Sequence, residues 1–120
     1  MDFNDYQEAA GRSAVYPERG KATIYPNMAY VVSGLAGEAG EVSEKFKKII
    51  RDIKPCPTKK HQIPNEVREA IIKELGDVLW YVSQVAHELR VPLSVVAERN
   101  IIKLTARDKK GTLHGEGDDR

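Results

Sequence analysis

Apolar residues recur along most of the chain at spacings of three and four, the period of a helix that buries one face. Few segments show the strict alternation of a half-buried strand. A first short helix is predicted from Asp2 to Ala14. The stretch from Val15 to Pro26 contains Tyr16-Pro17, Arg19-Gly20 and Tyr25-Pro26 and reads as an ordered loop. Asn27 then stands as the N-cap of a long second helix. Its core stripe is Val31, Leu35, Ala39, Val42, Phe46, Ile49 and Ile53, and Pro55 and Pro57 stop it.

The polar, proline-bearing connector from Lys54 to Pro64 is expected to be a surface loop. Asn65 is the expected cap of a third helix with Ile71, Leu75, Val78, Val82, Val85 or Ala86, and Leu89 as its stripe. A fourth helix begins near Pro92, a residue suited to a first turn, and carries Leu93, Val96, Ala97, Ile101 and Leu104. The tail from about Gly111 to Arg120 is rich in Gly and Asp and is expected to be flexible. The fold class is therefore all-α: an antiparallel bundle of about four helices, with helices two and three at its centre.

Composition narrows the class. A chain of 120 residues makes one domain, 1–120, with a core small enough that oligomerisation is an open route to further burial. Its 41% apolar and 31% charged residues fit an ordinary globular balance. A net charge of +1 offers no basic field for nucleic acid. The single cysteine, Cys56, excludes an internal disulfide and fits a reducing cytoplasm, the expected location. The first residues lack the basic and apolar regions of a signal peptide, and no apolar run approaches the roughly 20 residues of a membrane span. His61, His87, His114 and Cys56 have no spacing that makes a zinc site.

Two segments break the binary pattern. In helix two, Gly34-Leu35-Ala36-Gly37-Glu38-Ala39-Gly40-Glu41-Val42 puts Glu38 about 60° from Leu35 and about 40° from Val42, at the edge of the apolar stripe. Glu41 lies one turn on, rotated roughly 60° further outward. In helix three, Lys73-Glu74-Leu75-Gly76-Asp77-Val78 repeats the i, i+3 acidic pair. On antiparallel helices the four carboxylates converge on one groove, where like charges repel and raise one another's pKa. A hard divalent cation resolves that conflict, and Mg²⁺, which keeps waters and works beside substrate phosphates, suits an oxygen-only ligand set. Gly34, Gly37, Gly40 and Gly76 each cost about 1 kcal/mol in a helix, so their concentration here predicts close approach by a ligand or another helix.

These segments, with Glu74-Leu75-Gly76-Asp77-Val78-Leu79-Trp80-Tyr81, resemble the MazG-like, all-α nucleoside triphosphate pyrophosphohydrolases, marked by an ExxE motif followed after a loop by ExxD. The likeness runs from about Tyr25 through Asn100-Ile101-Ile102-Lys103-Leu104 to the tail Gly111-Thr112-Leu113-His114-Gly115-Glu116-Gly117-Asp118. It implies Mg²⁺ ligation by Glu38, Glu41, Glu74 and Asp77, with Mn²⁺ an expected substitute, and cleavage between the α and β phosphates. It also implies a homodimer or homotetramer with substrate pockets built partly from neighbouring chains, and a house-cleaning role toward non-standard nucleotides. The two motifs are separated by 32 intervening residues, more than the family usually shows, so residues 54–64 read as an insertion.

Glu38 or Glu41 is then the candidate catalytic base for an attacking water. Asn100, Lys103 and Arg107 share one face of helix four; the resemblance gives Asn100 and Lys103 a role in binding substrate, while Arg107 reads equally as a phosphate ligand or part of a solvated face. Lys45 is a further candidate for phosphate, and Tyr81 either lines the base pocket or caps the core edge. Trp80, off the main stripe, packs either at a subunit interface or against helix one. The competing function class is a non-catalytic helical dimerisation module whose acidic pairs only aid solubility.

Overall fold

A computed structural model of the chain describes residues 1–52 and 63–111. Among them the regular structure is entirely helical: α1 (Phe3–Gly11), α2 (Ala29–Asp52), α3 (Asn65–Glu88) and α4 (Leu93–Lys109), with a short irregular helical turn at Ile24–Met28 leading into α2. The predicted connector falls largely outside the described residues, as does the tail beyond Gly111.

Each helix start has a local cause. Asp2 caps α1, accepting from the Asn4 and Asp5 amides at 2.8 and 2.9 Å, while the Asp5 carboxylate accepts from the Asp2 amide at 3.0 Å. The helix closes at Gly11 rather than Ala14, because the Arg12, Ser13 and Ala14 amides each donate to a carbonyl three residues back and tighten the chain into a turn. Asn27 is not the cap of α2: it is wholly buried in the preceding turn, accepts from the Thr23 hydroxyl at 2.6 Å and spends its own amide on Glu88. Nor does Asn65 cap α3; the helix starts on Asn65 itself, after Pro64. Pro92 holds the equivalent place before α4, and both prolines supply a fixed φ rather than a side-chain hydrogen bond.

The α3 end is a tight reversal. The Val91 amide donates to the Ala86 carbonyl and the Arg90 amide to the His87 carbonyl, both at 2.9 Å, with Arg90 in the left-handed region at φ 56°. This turns the chain from α3 into α4, which packs on α1 and α3.

The centre is the α2–α3 hairpin, two helices of 24 residues each, about 36 Å long. Facing pairs fix its register: Asn27 meets Glu88, Tyr81 meets Gly34, and Glu38 lies by Asp77. Val31, Ile71, Ala86 and Leu93 are buried, with Ala10 and Tyr16 sealing the α1 side. Other predicted stripe positions are not interior within one chain: Leu75 is 50% exposed and Ile101 62%, with Phe46, Leu89, Val96 and Leu104 also open. The Cα radius of gyration, 17.9 Å, exceeds the roughly 14 Å of a compact chain of this length. The hairpin is long and thin, and among the described residues much of its apolar surface stays open.

Candidate metal centre

The hairpin brings Glu38 of α2 together with Glu74 and Asp77 of α3, with one oxygen from each lying within 4.8 Å of the others. The i, i+3 spacing stacks the α3 pair on one face, and antiparallel packing sets Glu38 across from them. Glu38 and Glu74 are half-buried and Asp77 is exposed, so the group opens to solvent on one side. Desolvation, then the charges of Asp77, Glu74 and Glu41, push the Glu38 carboxyl above its ordinary pKa. Glu41 is exposed and stands outside the three, in keeping with its outward rotation on the helix.

Lys45 enters the same site from the next turns of α2. Its ammonium lies 3.1 Å from Glu74 Oε1, and that hydrogen bond, with the Glu74 charge, raises its pKa. A tethered cation thus already offsets one carboxylate of a group whose remaining charge is unbalanced. The donor set, three hard oxygens on rigid helices with an open side, fits a divalent cation that retains waters.

Tyr81 borders the group. Its ring fills the notch left by Gly34, where an added Cβ would sit 2.1 Å from Tyr81 Cε1. Burial, followed by Tyr30 and Glu38, raises the phenol pKa, so the hydroxyl lies within electrostatic reach of the acids. Close approach accounts for Gly34 alone; at Gly37, Gly40 and Gly76 a Cβ would meet nothing within 4 Å. Trp80 packs against α1, its indole N–H donating to the Ala10 carbonyl at 3.2 Å and to Ser13 Oγ at 2.9 Å. It also meets the Tyr81 ring edge-on at 4.9 Å.

The α4 candidates lie elsewhere within one chain. Asn100 and Lys103 line a cavity of about 580 Å³ with Leu89, Val91, Val96 and Arg99, and no acidic residue of the cluster borders it. Arg107 is buried on the same helix, one turn beyond Lys103. Thus the structure unites Glu38, Glu74, Asp77, Lys45 and Tyr81, while Asn100, Lys103 and Arg107 form a separate stretch of α4.

Sequence reasoning missed Glu88. This carboxylate, 1% exposed, accepts from the Tyr16 hydroxyl (2.6 Å), the Gly20 amide (2.8 Å), the Ala22 amide (3.3 Å) and the Asn27 side chain (2.5 Å). Burial pushes its pKa up, but the bonds from Tyr16, Gly20, Asn27 and Ala22 outweigh that and hold it below the ordinary value. One signal was available: an acid in the last turn of a helix opposes the helix dipole and needs a reason.

Residues 27–112 match the MazG nucleotide pyrophosphohydrolase domain, a span that includes all four acids and the α4 candidates. The chain is 44% identical over 120 residues, the whole of both sequences, to the Gene 37 protein of Mycobacterium phage L5. No solved structure matches it. With a domain match across most of its length and a paired-carboxylate hairpin inside it, the chain belongs to the MazG nucleotide pyrophosphohydrolase family.

Proposed function

We propose that this protein hydrolyses nucleoside triphosphates to the monophosphate and pyrophosphate in the presence of Mg²⁺, with Mn²⁺ able to substitute, and that its substrates include non-standard nucleotides. The observation that carries this reading is the meeting of Glu38, Glu74 and Asp77 oxygens within 4.8 Å across two helices, with Glu38 raised in pKa by its neighbours. Such a group is repulsive alone and is relieved by a divalent ion.

Glu38, Glu74 and Asp77 would hold the ion, with Glu41 completing the set from the next turn. When bound, it would supply a positive centre that offsets charge on the phosphates and the departing pyrophosphate. Glu38 or Glu41 would orient the attacking water and take its proton. Lys45, released from Glu74, has the charge to meet a phosphate oxygen, and Tyr81 has the position to border the nucleoside.

Exposed apolar side chains on α2, α3 and α4, together with the extended shape, support assembly into a homodimer or homotetramer. That assembly is also how Asn100, Lys103 and Arg107 would join a site that one chain leaves incomplete. No helix among the described residues is long and apolar enough to cross a membrane, and the cytoplasm is the proposed location. The deciding experiment incubates standard and modified nucleoside triphosphates with Mg²⁺ and identifies the products. Monophosphate plus pyrophosphate supports the proposal; orthophosphate release means a different bond is cut, and no turnover with any substrate leaves the non-catalytic dimerisation module.

A further inference from the structure

Glu88 occupies the last turn of α3, where unpaired carbonyls present partial negative charge and an acid is disfavoured. It is also buried, and a buried carboxylate is costly unless its lone pairs are matched by donors. The four donors that offset this come from a single stretch of chain: Tyr16, Gly20, Ala22 and Asn27. They span the connection between α1 and α2 and end on the turn that launches α2.

Two routes lead from Glu88 to the acidic cluster. The first is the backbone of α2. Asn27 fixes the height at which α2 starts along α3; further down the same seam Tyr81 fills the notch at Gly34, and then Glu38 faces Asp77. A slip of one helical turn, about 5.4 Å, is larger than the 4.8 Å spread of the acidic oxygens. The second route is aromatic. Tyr16, held by Glu88, stacks on Tyr30 at 5.7 Å and meets Trp80 edge-on at 6.5 Å, and Trp80 meets Tyr81 at 4.9 Å.

We infer that Glu88 is a positioning residue for the cation site: by holding Asn27 and Tyr16 it sets the axial register of α2 on α3 and keeps Tyr81 at the edge of the Glu38, Glu74 and Asp77 group. Buried polar groups are best attested in this kind of register-setting role. The inference rests on reading that group as a cation site. In Glu88→Gln the shape is kept, but an amide NH₂ is turned toward groups that are themselves donors, so the lock loosens while the helices persist.

The test measures Mn²⁺ affinity of the full chain by titration calorimetry, well below the unfolding temperature, for wild type, Glu88→Gln, Asn27→Ala and Gln7→Ala. Gln7 is the control for general destabilisation. Its side chain donates to the Ser83 and Val91 carbonyls and accepts from the Leu93 amide, joining α1 to the last turns of α3 and to the start of α4 rather than to the α1–α2 connection. Glu88→Gln and Asn27→Ala are expected to weaken Mn²⁺ binding about tenfold, the order by which residues that touch neither ligand nor ion can shift a coupled site. Gln7→Ala is expected to lower the unfolding temperature and leave Mn²⁺ affinity unchanged. Equal weakening in all three variants would reduce Glu88 to a generic stabiliser and overturn the inference, as would unaltered affinity in Glu88→Gln and Asn27→Ala. If Glu88→Gln does not fold, Asn27→Ala against Gln7→Ala decides. Absence of Mn²⁺ binding by the wild type would remove the cation site and this inference together, whereas tight wild-type binding that the two variants retain removes the inference alone.

Discussion

The α2–α3 hairpin carries carboxylates at the end where α2 begins and α3 finishes, closed off from solvent, and along its more open middle, and it treats them in opposite ways. Glu88 is deeply buried yet stays ionised, because four donors converge on its two oxygens. Glu38 is less buried, yet its pKa is raised, because what surrounds it beyond the cost of desolvation is more negative charge. Burial alone therefore does not separate the two sites; the sign of the neighbours does. A carboxylate whose neighbours are donors is held ionised by them, whereas one whose neighbours are other carboxylates is pushed toward its neutral form.

Removing the acid at the open site should produce the largest effect. Glu38→Ala is expected to lower Mg²⁺-dependent pyrophosphate release by more than about a hundredfold, since even outer partners of metal sites commonly cost 10–100-fold. The same variant should unfold no earlier than wild type in EDTA, because a repulsive contact has been deleted. It should also lose the stabilisation that saturating Mg²⁺ gives the wild type in a thermal scan, about 2.7 kcal/mol at a hundred times Kd. A Glu38→Ala protein that still hydrolyses at the wild-type rate would break the comparison at its base.

The closed site should respond in stability. Glu88→Ala leaves Tyr16, Gly20, Ala22 and Asn27 without their acceptor, and a loss of roughly 3–5 kcal/mol is expected in urea unfolding. The pH dependence has opposite signs at the two places. Glu88 has a lowered folded pKa, so its contribution is fully present above the unfolded carboxylate value of about 4.3 and fades as pH falls through the folded one. Glu38 has a raised folded pKa, so without metal its neighbourhood becomes destabilising as pH rises from the unfolded value through the folded one. Unfolding of the EDTA-treated protein across pH, with Glu88→Gln and Glu38→Gln each flattening its own limb, measures this directly.

A smaller effect tests the border between the sites. Gly34→Ala places a methyl in the Tyr81 ring and should cost about 1–3 kcal/mol, with a rise in KM as the ring is displaced. At Arg90, whose φ of 56° suits glycine, Arg90→Gly should change stability least, raising it by about 0.5–1 kcal/mol in the same urea assay.

The helices were legible because a 3.6-residue period is written into the apolar positions of α2 and α3, and the acidic pairs were legible because each is local to one helix. Their convergence followed from one further step, antiparallel packing. Glu41 was expected to converge with the other three, and it stands outside their group because its position on α2 is rotated outward from Glu38. Asn27 was misread as a cap because an asparagine before a helix has that role most often; its true partner lies 61 residues on. Glu88 escaped notice for the same reason, since its donors stand 61 to 72 residues upstream. Exposed stripe positions such as Leu75 and Ile101 show the remaining gap: periodicity says which face is apolar, and only other copies or elements decide what covers it. Trp80 was undecided between two surfaces for that reason, and the Ala10 carbonyl and Ser13 hydroxyl resolved it.

Two of the four groups that grip Glu88 are main-chain amides, at Gly20 and Ala22, in the stretch between Tyr16 and Asn27. Amides are common to nearly every residue type, so side chains in that stretch can vary where the backbone permits, with Glu18, Gly20 and Ala22 restricted by their positive φ of 57°, 77° and 53°. What it cannot exchange is its count: a residue gained or lost there would carry the amides past the carboxylate. Relatives should accordingly differ in composition between those two anchors while keeping the spacing between them.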